Sequence, residues 1–178
     1  MNTKTTCLAL ATAALFASCG KKESAATPLA TPAASTALAA VLSASPAGDP
    51  KSIHLIRATA KPGDEITVSG KIMGNGKPFV DGRSAFILGD PEVLTPCNED
   101  PADKCVTPWD ACCDSPEDKK RGIATIQIVG ADGRVLKESI EGVGGLVNLA
   151  TVTVTGKVAE SSTADLLIIN AQAILSGK

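Results

Sequence analysis

Residues 65–73 read EITVSGKIM and residues 150–158 read ATVTVTGKV. In both stretches aliphatic residues alternate with polar ones, and this period of two is typical of a β-strand with one buried face. Each stretch also carries a Gly-Lys-aliphatic step, and a glycine inside a strand indicates a bulge or a sharp bend. The two stretches therefore predict two bent strands of one β-domain.

Further strands are predicted on either side of a cysteine-rich loop. Gly89-Asp90-Pro91 ends the predicted strand at residues 84–88. Asp132-Gly133 is a strong signal for a hairpin turn. The four segments with strand character are residues 84–88 (SAFIL), 124–129 (ATIQIV), 134–140 (RVLKESI) and 166–175 (LLIINAQAIL). We expect an all-β domain of five or six strands over residues 51–178, with residues 52–60 as an apolar lead-in.

These segments carry a resemblance to a known fold. The combination of ITVSGKI (66–72), SAFILGD (84–90) and TVTVTGKV (151–158) resembles the OB-fold, in which a bent first strand and a late V-x-V-x-G-x-V strand recur. The resemblance implies a small closed barrel without exposed sheet edges. Glycine-rich residues 142–149 stand where that family has a helix. A β-sandwich of the immunoglobulin type is the alternative, but its spacing of Cys, Trp and Cys is missing.

The N-terminus has the features of an export signal. Residues 1–19 read MNTKTTCLALATAALFASC, with a positive charge at Lys4 and an apolar run at residues 8–16. That run is too short to span a bilayer as a mature helix. The run ends in small residues before Cys19, and this order resembles the lipobox of bacterial lipoproteins, although Phe16 stands where Leu or Val is usual.

The lipobox resemblance implies a location. Residues 1–18 would be a signal peptide, and Cys19 would become acylated, with palmitate or a similar chain, and would anchor the protein in the membrane. Gly20 follows, rather than the Asp that retains related lipoproteins in the inner membrane. The expected location is the bacterial cell envelope, on the outer membrane facing the periplasm.

A segment rich in Ala, Ser, Thr and Pro follows the lipidation site. Such a composition buries too little apolar surface to offset the entropy of ordering. Residues 34–44 could form a short helix because Ala is the best helix former. Isolated helices of this length are marginal in water, so we expect residues 19–50 to form a disordered tether.

The cysteine-rich loop, residues 90–122, lies between the second and third predicted strands and holds Cys97, Cys105, Cys112 and Cys113. An exported protein meets an oxidising compartment, which favours disulfides. Four cysteines allow three connectivities, and neighbouring cysteines have a Cα spacing of about 3.8 Å, too short for the usual bridge. We therefore expect Cys97 and Cys105 each to pair with one of the adjacent two.

The same four thiols could instead bind zinc or copper, because thiolates suit soft metal ions. No C-x-x-C pair is present, and zinc modules usually have one. The block TPWDACC (107–113) resembles one in uncharacterised exported bacterial proteins of similar layout, and that resemblance implies a defined module but no ligand. Trp109 and Asp110, within this block, are the candidate binding residues of the loop.

Composition narrows the possible functions. The formal net charge is −2, aromatic residues make up 2% of the chain, and His54 is the only histidine. These values disfavour nucleic acid as a partner, and we expect no catalytic residues and no resident cofactor. The expected function is a non-enzymatic binding module that holds an envelope protein or a small ligand. The alternatives are a metal-handling or thiol-redox lipoprotein and an OB-type binder of oligosaccharide or single-stranded nucleic acid.

Overall fold

The computed structural model describes residues 34–100, 102 and 104–177. Strands dominate this part of the chain, and its helices are short. In chain order its elements are α1 (Thr36–Ser43), β1 (Lys51–Ser52), α2 (Ile53–Arg57), β2 (Glu65–Lys71), β3 (Ala85–Gly89), α3 (Pro116–Gly122), β4 (Ile123–Gln127), β5 (Thr151–Val158) and β6 (Leu167–Ser176). Single turns of 3-10 helix lie at Cys97–Glu99 and Val143–Gly145.

Five of the strands form a closed barrel. The order around it is β2-β3-β4-β6-β5, and β5 returns to pair with β2. The pair β4–β6 is parallel, and the other four pairs of the barrel are antiparallel. Strand β1 is an extra strand that pairs in parallel with β2. The prediction of a small OB-like barrel is confirmed, and the cysteine-rich loop is an insertion between β3 and β4.

The barrel closes along β2 and β5, the two strands with the clearest alternation. They pair from Glu65↔Lys157 to Lys71↔Thr151 without a break in register. Their inward-facing Val68, Val152 and Val154 are fully buried. The polar residues between them face outward, as the period of two requires.

Two glycines permit the tight bends of these strands. A Cβ atom at Gly70 would lie 2.6 Å from the carbonyl oxygen of Gly89, too close for any side chain. A Cβ atom at Gly156 would collide with the carbonyl oxygen of Asn170, next to a register shift between β5 and β6. The glycines inside the two strands thus allow neighbouring backbones to approach at the barrel's corners.

The predicted strand over residues 134–140 is wrong. The turn at Asp132-Gly133 is present, but its return arm makes only an isolated bridge between Val129 and Val135. Beyond that bridge the arm bends towards the start of β3, where Ser84 bonds to the carbonyl groups of Leu136 and Glu138. Burial of Ile140 and these bonds replace the regular pairing of a hairpin.

The prediction of a disordered tether is wrong for residues 34–50. Helix α1 packs against β6 and buries Leu38 completely in the main core. The hydroxyl of Ser35 accepts a hydrogen bond from the N–H of Leu38 at 3.2 Å and so caps the helix. Contact with the barrel provides the stability that an isolated helix of this length lacks. Residues 19–33 lie outside the described part of the chain.

The main core fills the barrel and extends beneath α1 and α2. One of its largest members, Leu38, lies before residue 51, so the predicted domain boundary at residue 51 lies too late. The largest members include Leu38, Ile53, Ile72, Phe86, Leu88, Ile126, Ile128, Ile140, Leu146 and Ile169. Side chains of this kind stabilise a fold through the area that they remove from water.

Replacing Leu38 with Ala tests whether α1 belongs to the domain. We expect the variant to lose about 2–5 kcal/mol of unfolding free energy, because it leaves a cavity between the helix and the barrel. Urea unfolding followed by far-ultraviolet circular dichroism measures this loss. Leu55→Ala is the matched control, since Leu55 is 56% exposed. Equal stability of Leu38→Ala and the native chain would contradict the packing of α1.

Candidate functional site

The cysteine-rich loop is closed at its base and held by further backbone hydrogen bonds between its described residues. The N–H of Asp90 donates to the carbonyl of Gly122 at 2.8 Å, so the two ends of the insertion meet beside β3 and β4. Further along, the N–H of Cys97 donates to the carbonyl of Asp110 at 2.8 Å. These backbone bonds fold the segment back on itself, although it has little regular secondary structure.

Trp109 attaches the loop to the barrel. Its indole N–H donates to the carbonyl of Gly76 at 3.1 Å, and its own carbonyl accepts from Gly74 at 2.9 Å. The half-buried ring packs against a second apolar cluster, whose buried members are Met73, Leu94 and Ala111. Trp109 therefore orders the loop together with this small cluster, and part of its ring remains accessible.

Asp110, the other candidate binding residue, also has a role in the loop's own structure. Its carboxylate accepts from the N–H of Ala111 at 2.8 Å. Other loop carboxylates act similarly: Asp114 accepts from the N–H of Thr95 at 2.8 Å, and Glu99 lies 2.7 Å from the ammonium of Lys71. The acidic residues thus fix the loop's shape and its contact with β2.

The structure brings the loop's sulfur atoms together. The Sγ atoms of Cys97 and Cys112 are 3.5 Å apart, and those of Cys112 and Cys113 are 3.9 Å apart. Cys97, Cys105 and Cys112 place their sulfurs within 4.8 Å of one another. Cys97 is buried and Cys112 is exposed, so the group of sulfurs lies between the protein interior and the solvent. The predicted disulfides remain a prediction.

The environments of two of these thiols differ. The hydroxyl of Thr107 lies 3.2 Å from the sulfur of Cys105, and this contact, followed by the backbone N–H of Thr107, lowers the pKa of the Cys105 thiol. At Cys112 the contact with Cys97 lowers the pKa, but Cys113, burial and Cys105 together outweigh it and raise the pKa above its ordinary value. Cys105 is therefore the sulfur of the two that more readily becomes a thiolate.

A second site, which we call the cationic groove, lies on the barrel wall. Its volume is ≈ 580 Å³, which lies within the range of small-molecule sites. Its lining residues are Val80, Arg83, Ala85, Thr125, Gln127, Gly133, Arg134, Val135 and Lys137. The groove thus runs over the outer faces of β3 and β4 and under the turn that follows β4.

The lining of this groove is positively charged. Arg83, Arg134 and Lys137 line it, none of the three forms an ion pair with another described residue, and no acidic residue is part of its lining. Val80 is 43% exposed and Val135 is half-buried, so the walls between the cations are apolar. The described part of a chain with a net charge of −2 therefore presents a positively charged groove.

Sequence reasoning missed this groove. Arg83 lies before β3, whereas Arg134 and Lys137 follow β4, and a whole-chain charge count does not show that they meet. The signal available was the pair of cations in RVLK (134–137) beside a predicted hairpin turn. That signal does not indicate which strand the turn covers.

The only histidine lies against the base of the cysteine-rich loop. Asp90, which is 1% exposed, accepts hydrogen bonds from the N–H of His54 at 2.9 Å and from its Nδ1 at 2.8 Å. The other carboxylate oxygen accepts from the N–H of Glu92 at 2.9 Å. Asp90 thus joins the start of α2 to the start of the loop, a link that the sequence analysis did not predict.

The carboxylate oxygens of Asp90 and Glu92 and a ring nitrogen of His54 lie within 4.8 Å of one another. Three such groups could bind a cation. However, the carboxylate of Asp90 already accepts three hydrogen bonds, two from His54 and one from Glu92. We therefore assign these residues a structural role.

No protein-family model matches the chain, and no curated protein or solved structure shows significant similarity to it. Among the residues that the structure describes, no helix has the length and apolar character needed to cross a bilayer. Residues 1–18 and Cys19, the predicted signal peptide and lipidation site, lie outside the described residues. The function therefore has to be argued from the geometry of the barrel and its loop.

Replacing Asp90 with Ala tests the link between α2 and the loop. We expect a loss of about 1.5–3 kcal/mol in unfolding free energy, because three donors lose their buried, charged acceptor. Chemical unfolding monitored by the fluorescence of Trp109 measures it. His54→Ala should cost less, since it removes one side-chain donor and leaves the carboxylate bonded to the backbone. A larger loss for His54→Ala than for Asp90→Ala would contradict this assignment.

Proposed function

We propose that the chain is a non-enzymatic binding module of the bacterial cell envelope, and that its barrel binds a small anionic ligand with an apolar body in the cationic groove. The observation that carries the proposal is the set of three cations around one groove without an acidic partner in its lining. A cavity of ≈ 580 Å³ falls within the range of small-molecule sites.

The lining supports this class of ligand. The guanidinium groups of Arg83 and Arg134 suit a carboxylate or a phosphate, which guanidinium binds through two parallel hydrogen bonds. Val80 and Val135 offer apolar surface to the rest of the ligand. The groove contains no aromatic side chain on which a base or a sugar ring could stack. An amphiphilic anion therefore fits better than an oligonucleotide or an oligosaccharide.

The absence of a catalytic role for His54 is part of the proposal. The imidazole Nδ1 contacts Asp90 at the junction of α2 and the loop, and His54 is not part of the groove's lining. The groove's titratable side chains are all cations, so it holds no carboxylate or imidazole that could act as a general base. Binding without chemical conversion is the function that this lining supports.

Titration of the groove tests the proposal. The full chain carrying Cys19→Ser, which lacks the proposed acylation site, is titrated by calorimetry with octyl phosphate and with octanoate. We expect both anions to bind, and we expect their affinity to fall as the salt concentration rises. Octyl glucoside and an oligothymidylate serve as the sugar and nucleic-acid probes. Tighter binding of either would contradict an amphiphilic anion as ligand.

Variants locate the binding. Arg83→Gln and Arg134→Gln should each weaken the binding of octyl phosphate by about tenfold, the equivalent of one lost charged hydrogen bond. Lys157→Gln is the matched control, because Lys157 is an exposed cation on β5 outside the groove. An equal effect of the control variant would show that only net charge matters.

The proposed location depends on Cys19, and its replacement is a separate test. Each buried CH₂ of an acyl chain contributes about 0.8 kcal/mol to membrane binding, so several chains hold a protein firmly. We expect the native chain in the outer-membrane fraction and Cys19→Ser mainly outside it, as measured by fractionation and immunoblotting. Lys157→Gln is the control, because Lys157 is exposed. Unchanged membrane association of Cys19→Ser would contradict lipidation as the anchor.

A further inference from the structure

The cysteine-rich loop brings together sulfur atoms that are far apart in the chain. The backbone N–H of Cys97 donates to the carbonyl of Asp110, which fixes the position of Cys97. The sulfur of Cys105 lies within 4.8 Å of the sulfur of Cys97. The sulfurs of Cys97, Cys105 and Cys112 converge within 4.8 Å, and the sulfur of Cys113 lies 3.9 Å from that of Cys112. The loop therefore gathers three of its four thiols around one point, with the fourth beside Cys112.

We propose that this cluster is a binding site for a soft metal ion, Zn²⁺ or Cu⁺, with Cys97, Cys105 and Cys112 as ligands and Cys113 in reach as the fourth. In a tetrahedral site with metal–sulfur bonds of about 2.3 Å, neighbouring sulfurs lie about 3.8 Å apart. The observed separations of 3.5 Å and 3.9 Å lie on either side of that value. Thiolate ligands select these ions over hard cations such as Ca²⁺ and Mg²⁺.

The surroundings of the sulfurs suit a metal–thiolate centre. The hydroxyl of Thr107, 3.2 Å from the sulfur of Cys105, can donate to it and orient it as a ligand. The ammonium of Lys119 donates to the carbonyl of Cys112 at 3.1 Å and places a positive charge beside a centre that would carry excess negative charge. Residues outside the ligand set thus fix two of the three ligands.

Binding is an exchange of protons for a metal ion. Each coordinating thiol loses its proton to solvent and donates a lone pair of its sulfur to the ion, and no electron is transferred. Disulfide formation is the competing reaction in the same compartment, and it removes two electrons per bridge to an external oxidant. A bound ion would compete with that oxidation by engaging the thiolates. This site is independent of the cationic groove, so either proposal can fail without the other.

The chain isolated from envelope fractions in detergent, without reductant and under nitrogen, provides the test. We expect about one zinc or copper ion per chain by plasma mass spectrometry, because the sulfurs converge on a single point. Alkylation after removal of the metal, followed by peptide mapping, should then modify Cys97, Cys105 and Cys112. Disulfide-linked peptides from these cysteines with no bound metal would overturn the proposal and support the disulfides instead.

A variant pair gives a second measurement on the reconstituted chain. Cys112→Ser removes an exposed ligand, and we expect it to weaken Zn²⁺ and Cu⁺ binding by at least about tenfold in competition with a chromogenic chelator. Val106→Ser is the matched control, because Val106 is 92% exposed in the same loop. Circular dichroism checks that both variants fold. Equal metal affinity of the two folded variants would also overturn the proposal.

Discussion

Pairing between β2 and β5 is the constraint on which the other features depend. It converts an open sheet, whose edge strands would expose unpaired backbone groups, into a barrel with a continuous ladder. Closure bends the strands so tightly that their backbones nearly touch neighbouring carbonyl groups, and Gly70 and Gly156 occupy these positions. The same closure creates the apolar interior, and α1 packs against β6 of the closed barrel.

The barrel also explains how a long cysteine-rich loop can be held in place. Strands β3 and β4 are neighbours, so the insertion leaves and returns at adjacent points, and the bond between Asp90 and Gly122 closes its base. The entropic cost of closing a loop rises only slowly with its length. Two strand ends that lie side by side can therefore be joined by a long insertion. Trp109 then fixes the loop to the barrel with one hydrogen bond and one small apolar cluster.

The two candidate sites have opposite chemical preferences. The cationic groove offers guanidinium and ammonium groups between apolar walls, which suits an anion with an apolar body. The thiol cluster offers soft sulfur ligands, which suit a metal cation. The groove uses the regular strands of the barrel, whereas the cluster uses the insertion. One fold can therefore carry both without shared residues.

The sequence by itself determined the β-class, the bent strands at residues 65–71 and 151–158 and the position of the insertion. It could do so because alternation and glycine placement are local properties of strands. It did not determine whether residues 34–50 are folded, since a short Ala-rich helix is stable only when it packs against a partner such as β6. Nor could it show that Arg83 and Arg134 line one groove, or that Asp90 holds His54. Those contacts join distant segments, and only the closure of the barrel decides which distant segments become neighbours.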